Sequence, residues 1–444
     1  GRSIGRGMQR VARVPARPIA AAILATCAIA LLAGCARTPI REERIVYGEQ
    51  SLGQRALHTV EGRAIWVTRW DYTTAEDVER IVDNCHDAHF NIIFFQVRGN
   101  ATAFYRSELE PWAWELTSGG PETTGQDPGF DPLAVAIERA HKRGIELHAY
   151  MNVFPAWRSQ KYPPEGSGQL WVTHPEWFMV DREGRKMIPR DQDVDPTLGT
   201  FYSFVNPAIP EVKDHTVAVF REVAENYDVD GIHLDYVRYP HEVGDYSYDP
   251  VSLERFRQAT GATPDEAPRN WIRWRGEQVG DVVRRIHAAC SKVAPDAMIS
   301  AAVGRDPNRA REKLMQPIAD WLNEEIVDAA APMIYTTDPS EIGRSVSEYL
   351  RAADGQLVFA GLMVVDDPRV VLEQIGVARM IGAHGVSLFS YEKLFPDHKR
   401  NEVVKALVQG PFERRAAVPL PPTERDLGVE IEGVMPREHE DPMR

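Results

Sequence analysis

Asp235 ends the apolar run "GIHLDYVRYP" (231–240), with Tyr236, Arg238 and Tyr239 directly after it. Burying an ionised carboxylate is unfavourable unless it is paired or the site needs it. The motif is therefore either a strand-end ion pair between Asp235 and Arg238 or a carboxylate placed for acid–base or nucleophilic chemistry. Other apolar runs end in the same way. "NIIFFQVR" finishes on Gln96 and Arg98, "IELHAYMN" carries Tyr150 and Asn152, "RAIWVTR" ends at Arg69, and "VDAAAPMIY" ends at Tyr335. Such a set suits hydroxyl, N-acetyl or carboxylate groups. Each residue taken alone reads equally well as scaffold, and Arg98 has Glu108 and Glu110 close by in the following loop. Cleaving a glycosidic bond with carboxylates takes two of them, one to protonate the leaving oxygen and one to attack or to activate water. By chain order the best-placed second acid is Glu392, just after "GVSLFSY" (385–391); Asp71 and Glu146 are weaker, and Asp328 falls too early in its strand.

These residues need a frame that gathers them. Eight short apolar runs alternate with helical patterns: 63–69, 91–98, 145–152, 231–235, 298–303, 327–335, 356–361 and 385–391. After the first, Val78, Ile81, Val82 and Cys85 share one helical face behind a Thr73/Glu76 capping-box spacing. Asp338-Pro339 opens another helix with a cap and a proline, and Gly144 stops a third. Strands alternating with helices imply parallel βαβ units. Eight of them in about 350 residues close most economically into an α/β (β/α)8 TIM barrel. An open doubly wound sheet is the alternative, but "WDYTT" after the first strand lacks the glycines of a phosphate turn. In a barrel, strand C-termini meet at one mouth. Alternation then points His233 and Asp235 inward, with Tyr150 and Asn152 on the matching side of the third strand. A long insertion between the third strand and third helix (153–205) carries Trp157, Trp171, Trp177, Phe178, Tyr202 and a hairpin turning at Gly184, and Trp112 and Trp114 lie after the second strand. Aromatic rings beside a barrel mouth suit the apolar faces of sugars, or they form a small core that holds the loop.

The 444 residues are 43% hydrophobic and 26% charged, with a net charge of −14. Residues 1–34 read as a lipoprotein signal peptide. A basic stretch (Arg6, Arg10, Arg13, Arg17) precedes the apolar "IAAAILATCAIALLAG", and "LAGC" marks Cys35 for lipidation. A transmembrane anchor is the competing reading, but the apolar run falls short of the roughly 20 residues a span needs. Removing 1–34 takes away five arginines and no acids, so −14 − 5 gives −19. That charge argues against nucleic acid as a partner. The expected location is the cell envelope, anchored through lipid to a membrane. Ala36-Arg37 lacks an aspartate after the cysteine, which favours the periplasmic face of the outer membrane. Residues 35–60 read as a tether, 61–410 as the barrel, and 411–444 as a mobile Pro-rich tail. Cys85 and Cys290 read as buried free thiols, and with no CxxC or HExxH no metal site is expected.

The segments "RAIWVTRWD", "NIIFFQVRGNATAFYRSELEPW", "DPGFDPLAVAIERAHKRGIELHAYMNVF", "FVNPAIPEVKD" and "GIHLDYVRYP" resemble the glycosyl hydrolase-like 10 family over roughly 61–400, most specifically over 127–240. The resemblance implies a (β/α)8 glycosidase without cofactor, acting on glycan chains outside the cytoplasm, peptidoglycan glycan strands among them. It carries over Asp235 with Tyr236, Arg238 and Tyr239, Asn152 of the third-strand motif, and Asn206 of the "NP" motif. Glu392 rests on topology. The rival from another class is a non-catalytic glycan-binding lipoprotein that positions cell-wall or division proteins; a third reading keeps the glycosidase and changes the substrate to an exopolysaccharide.

Overall fold

In the computed structural model, which describes residues 59–159, 161–187, 202–240 and 244–422, the eight apolar runs become eight parallel strands. They are β1 (Gly62–Val67), β2 (Ile92–Arg98), β3 (Glu146–Asn152), β4 (Gly231–Asp235), β5 (Met298–Val303), β6 (Ala329–Ile334), β7 (Leu357–Met363) and β8 (Gly385–Phe389). Each pairs with the next along the chain, and β8 closes on β1 with Phe389 opposite Trp66. The (β/α)8 barrel expected from the sequence is what forms.

The helices start where local chemistry tells them to. Asp-Pro opens five of them, at Asp131, Asp249, Asp306, Asp338 and Asp367, each aspartate accepting a first-turn amide ahead of a proline at N1. The helix Ala75–Asp87 has its capping box one residue later than the sequence spacing suggests. Thr74 caps it and Asp77 reaches back, while Glu76 is exposed. Its buried face is Val78, Ile81, Val82 and Cys85, as the periodicity requires.

Alternation along the strands sorts the core into two layers. Ile65, Val67, Ile93, Phe95, Ile232 and Leu234 pack outward against the helices, while Trp66, Phe94, Tyr150 and Phe359 fill the barrel. His233 is buried among the inner layer. Its Nε2 accepts from Trp66 Nε1 at 3.0 Å, so its Nδ1–H donates to Ser300 Oγ at 2.8 Å, and its ring stacks on Phe94 at 3.9 Å. Burial and the neighbouring His148 hold its pKa well below the usual histidine value, so it stays neutral. Gly231 leaves room for His148, since a Cβ there would lie 2.4 Å from His148 Nδ1.

The insertion after β3 is held by a short antiparallel pair, Pro155–Trp157 with Ser203–Phe204. Gly184 turns a hairpin at φ +78°, with Val180 opposite Lys186. Trp157, Trp177 and Phe178 are buried with Leu170, Val205 and Ile209, and Trp171 packs against them. Of the two readings of these aromatics, the small core is the one observed. Trp112 likewise packs on the main core.

The Pro-rich tail does not begin at 411. Phe412 is fully buried, edge-on to Phe90 at 5.4 Å and 4.6 Å from the Arg63 guanidinium. Arg63 donates to the carbonyls of Pro411 and Arg414, and Ala416–Ala417 pairs in parallel with Thr59–Val60. Residues 59–60, read as tether, and 411–422 therefore form a strap across the N-terminal ends of the strands. Charged residues around Phe412 masked this anchor, which carries no periodicity of its own. The signal segment, Cys35 and residues 423–444 lie outside the described residues. Cys85 and Cys290 are buried and free, their thiols pushed up by burial. No helix among the described residues is long and apolar enough to cross a membrane, and no group of three or more His, Cys, Asp or Glu is placed to hold a metal.

Candidate active site

Asp235 stands at the C-terminal end of β4 and is 7% exposed. Its Oδ2 accepts from Tyr150 Oη at 2.7 Å, and its Oδ1 accepts from the Tyr236 amide at 2.6 Å. Burial raises its pKa, against the pull of Tyr150, Arg238 and the Tyr236 amide. Tyr236 holds φ +48°, a left-handed conformation that costs a non-glycine residue about 1–3 kcal/mol and clusters at functional sites. The Arg238 guanidinium lies 4.7 Å from the Tyr236 ring. Tyr335, at the end of β6, stacks on Phe389 at 5.5 Å, and its hydroxyl pKa is raised by burial and then by the charge of Asp235. The structure thus brings Tyr150, Tyr236, Arg238 and Tyr335 around Asp235.

Other residues expected to bind substrate are committed to the protein. Arg98 is 1% exposed and forked onto Glu110, with Nε–Oε2 at 2.7 Å and Nη2–Oε1 at 2.6 Å, while Nη1 donates to the carbonyls of Asn152 and Val153. Asn152 gives its amide to the Gly99 carbonyl and accepts from Gln96 at 3.3 Å. Asn206 joins Asp249, Ser252, Tyr239 and Ser247 in a buried network. His233 sits beneath the mouth, inside the barrel. These four brace the site. A network of this kind fixes the backbone on which a catalytic side chain sits.

Arg69 and Gln96 belong to a neighbouring cluster that includes Glu115, a residue the sequence reading did not single out. Arg69 Nε pairs with Glu115 Oε1 at 3.0 Å, and Gln96 Oε1 accepts the Arg69 amide at 3.0 Å. Glu115 sits on the short helix Trp114–Leu116 in a loop without periodicity, so only proximity in space could reveal it.

Apart from Asp328, the sequence offers three further carboxylates as partners for Asp235. Glu146 lies at the start of β3, the opposite end of the barrel, bonded to His148 Nε2 at 3.1 Å beside a cavity of about 600 Å³ formed under the strap. That placement removes it from the mouth. Glu392 is exposed on the short helix Tyr391–Leu394, in a shallow pocket of about 340 Å³ with Asp366, Lys393, Asn401 and Glu402. Asp71, one turn beyond β1, accepts from the Thr68 amide and hydroxyl at 2.6 and 3.0 Å. Burial, opposed by those hydrogen bonds and helped by the charge of Glu392, pushes its carboxyl up to about 6.

A buried strand-end aspartate amid tyrosines and arginine at a (β/α)8 mouth agrees with the sequence comparison: residues 61–357 match the model of glycosyl hydrolase-like 10. The chain belongs to that family. The match contains Asp71, Glu115 and Asp235 and stops before Glu392. Among family relatives, the glycosyl hydrolase YngK of Bacillus subtilis is 25% identical over 62% of this chain and 51% of its own length. The glycosyl hydrolase DigH of Escherichia coli K12 is 26% identical over 57% and 56%. The chain therefore spans about half the length of the curated relatives it matches. Solved structures share the fold: the glycoside hydrolase domain of PgaB (BpsB) from Bordetella bronchiseptica has a TM-score of 0.57 at 13% identity, covering 76% of this chain and 97% of that one. The catalytic domain of β-amylase from Paenibacillus polymyxa has a TM-score of 0.55 at 9% identity, covering 80% and 99%.

Proposed function

We propose that the protein is a glycoside hydrolase of the bacterial envelope that cuts peptidoglycan glycan strands, tethered by lipid at Cys35 to the periplasmic face of the outer membrane. The observation that carries this reading is Asp235, desolvated at the mouth yet held by Tyr150, Tyr236 and Arg238. A carboxylate so placed attacks the anomeric carbon or takes a proton from water. Tyr335 and Tyr236 flank it as surfaces for the sugar, and no cofactor enters the chemistry. Family membership supports glycoside hydrolysis, and the exported leader read from the sequence supports an envelope polymer.

The test is digestion of three polymers by the purified barrel: peptide-free glycan strands, intact sacculi and a neutral polysaccharide. New reducing ends are expected from the peptide-free strands first. Release from the neutral polymer alone would move the substrate to an exopolysaccharide. Binding without release from any of them would leave a glycan-binding lipoprotein.

The proton donor is a second carboxylate, Glu392 by topology or Asp71 by electrostatics. A carboxyl raised to about 6 keeps its proton up to that pH, which suits a general acid working near neutrality. The acid form is lost as pH rises through about 6, so kcat/KM should fall along an alkaline limb near that value. With Asp71 as donor, Asp71→Asn abolishes the limb along with most of the rate, while Glu392→Gln keeps it. The reverse pattern assigns the proton to Glu392.

A further inference from the structure

The insertion after β3 keeps one aromatic ring outside its small core. Trp157, Trp177 and Phe178 are buried there, whereas Tyr162 is 53% exposed. Its ring rests against Trp171 at 6.0 Å, and Trp171 is braced edge-on by Phe178 at 4.4 Å. The indole of Trp157 donates from Nε1 to the Lys161 carbonyl at 2.9 Å, which pins the backbone just before Tyr162. Pro163 and Pro164 follow and stiffen it on the other side. A ring held in this way, with about half its surface in water, loses little entropy when a ligand lies on it.

The support is tied to the loops that form the mouth. Gln169 is fully buried and caps the short helix Leu170–Thr173 by accepting from the Trp171 amide at 2.5 Å. Its own side-chain amide donates to the carbonyls of Asn100 and Ala156. Lys161 Nζ meets Glu122, in the loop after β2, at 2.5 Å. From Asp235 a line of rings runs toward this platform. Tyr236 meets Tyr202 edge-on at 5.1 Å, and the guanidinium groups of Arg69 and Arg158 lie against the rings of both Tyr202 and Trp70. Trp70 is 50% exposed, with Trp114 edge-on to it at 6.0 Å, and Arg158 stands four residues before Tyr162. Single exposed apolar side chains need no explanation, but exposed rings continuous with a site mark an extension of it.

We propose that Tyr162, on its Trp171 support, is an outlying platform for the apolar face of a sugar ring, and that a glycan chain seated at Asp235 runs past Trp70 to reach it. This rests on the reading of the mouth as a glycan site and adds the substrate's length to it. A long polymer engages both places, whereas a short fragment engages one. A sugar suits the platform because it lays an apolar face on the ring and keeps its hydroxyls in water. Continuity with the mouth makes the polymer itself the occupant.

The probes are peptide-free glycan strands sorted by length, from the disaccharide repeat to long strands. Binding is measured on the Asp235→Asn protein and cleavage on the wild type. Asp235→Asn should bind long strands about tenfold more tightly, per chain, than the disaccharide. Adding Tyr162→Ala should shrink that ratio to about twofold, with an unchanged thermal melt because the side chain is exposed. Adding Tyr162→Phe should keep the ratio, since the ring face and not the hydroxyl makes the contact. Equal affinity for both lengths, no binding of either, or a preference that survives Tyr162→Ala would overturn the platform. The last result would leave the ring to another occupant, such as a protein partner. A length preference that Tyr162→Ala removes, without cleavage by the wild type, would uphold the platform and remove the hydrolase reading. Cleavage without length preference would do the opposite.

Discussion

Asp235→Asn should lower kcat on peptide-free glycan strands by about 10²–10⁴-fold while leaving the barrel folded. The amide is nearly isosteric: its one oxygen can keep accepting from the Tyr236 amide, while its NH2 faces the Tyr150 hydroxyl, whose oxygen can accept. What disappears is the charge that attacks carbon or draws a proton from water. Stability should hold or rise, because the folded protein keeps this carboxyl above its ordinary pKa by desolvating it, and a neutral amide escapes that penalty. The sign is explicit: a carboxyl raised on folding opposes stability once pH exceeds its unfolded value, and the amide removes the opposition. Reducing-end release and a thermal melt on the same preparation check both halves. Undiminished release would take Asp235 out of the mechanism, whereas lost activity with a collapsed melt would show a structural aspartate.

The barrel was legible because its rules are local. Two-residue alternation in "GIHLD" and "IELHAYMN" put His233, Asp235, Tyr150 and Asn152 inside, and the inner and outer core layers divide in that way. Asp-Pro pairs marked helix starts through first-turn chemistry. The mouth was less legible, since inward parity says nothing about depth. His233 and Asp235 share a side, yet one fills the barrel among Trp66, Phe94 and Ser300 while the other reaches the rim. Asn152 and Asn206 sit at motif positions but spend their hydrogen bonds on the scaffold. Glu115 escaped because it sits in an irregular loop, where no period betrays which side chain turns inward. The aromatics of the insertion showed the opposite failure: an abundance of tryptophan reads as a sugar platform from composition, and burial reassigns most of it to packing.

Arg98 separates scaffold from site most sharply, and its loss should be the largest stability effect in the mouth. Arg98→Leu leaves Glu110 fully buried, with His215 Nε2 at 3.1 Å as its remaining side-chain partner among the described residues. Breaking a buried pair from one side costs about 3–5 kcal/mol, because the remaining charge is stranded. Although burial works in the other direction, the Arg98 guanidinium and His215 hold the Glu110 carboxyl down at about 2. A folded pKa below the unfolded one contributes stability that is complete above the ordinary glutamate value and is lost as pH falls toward 2. The wild type should therefore lose stability from about pH 4.5 downward, and Arg98→Leu should lose much less over that range. The double variant Arg98→Leu with Glu110→Leu should recover a large share of the deficit, since no charge is then left unpaired. Urea unfolding at pH 7 and pH 4 measures all three proteins. If Arg98→Leu kept its stability and raised KM instead, the guanidinium would belong to the substrate, and the fork onto Glu110 would be only its resting place.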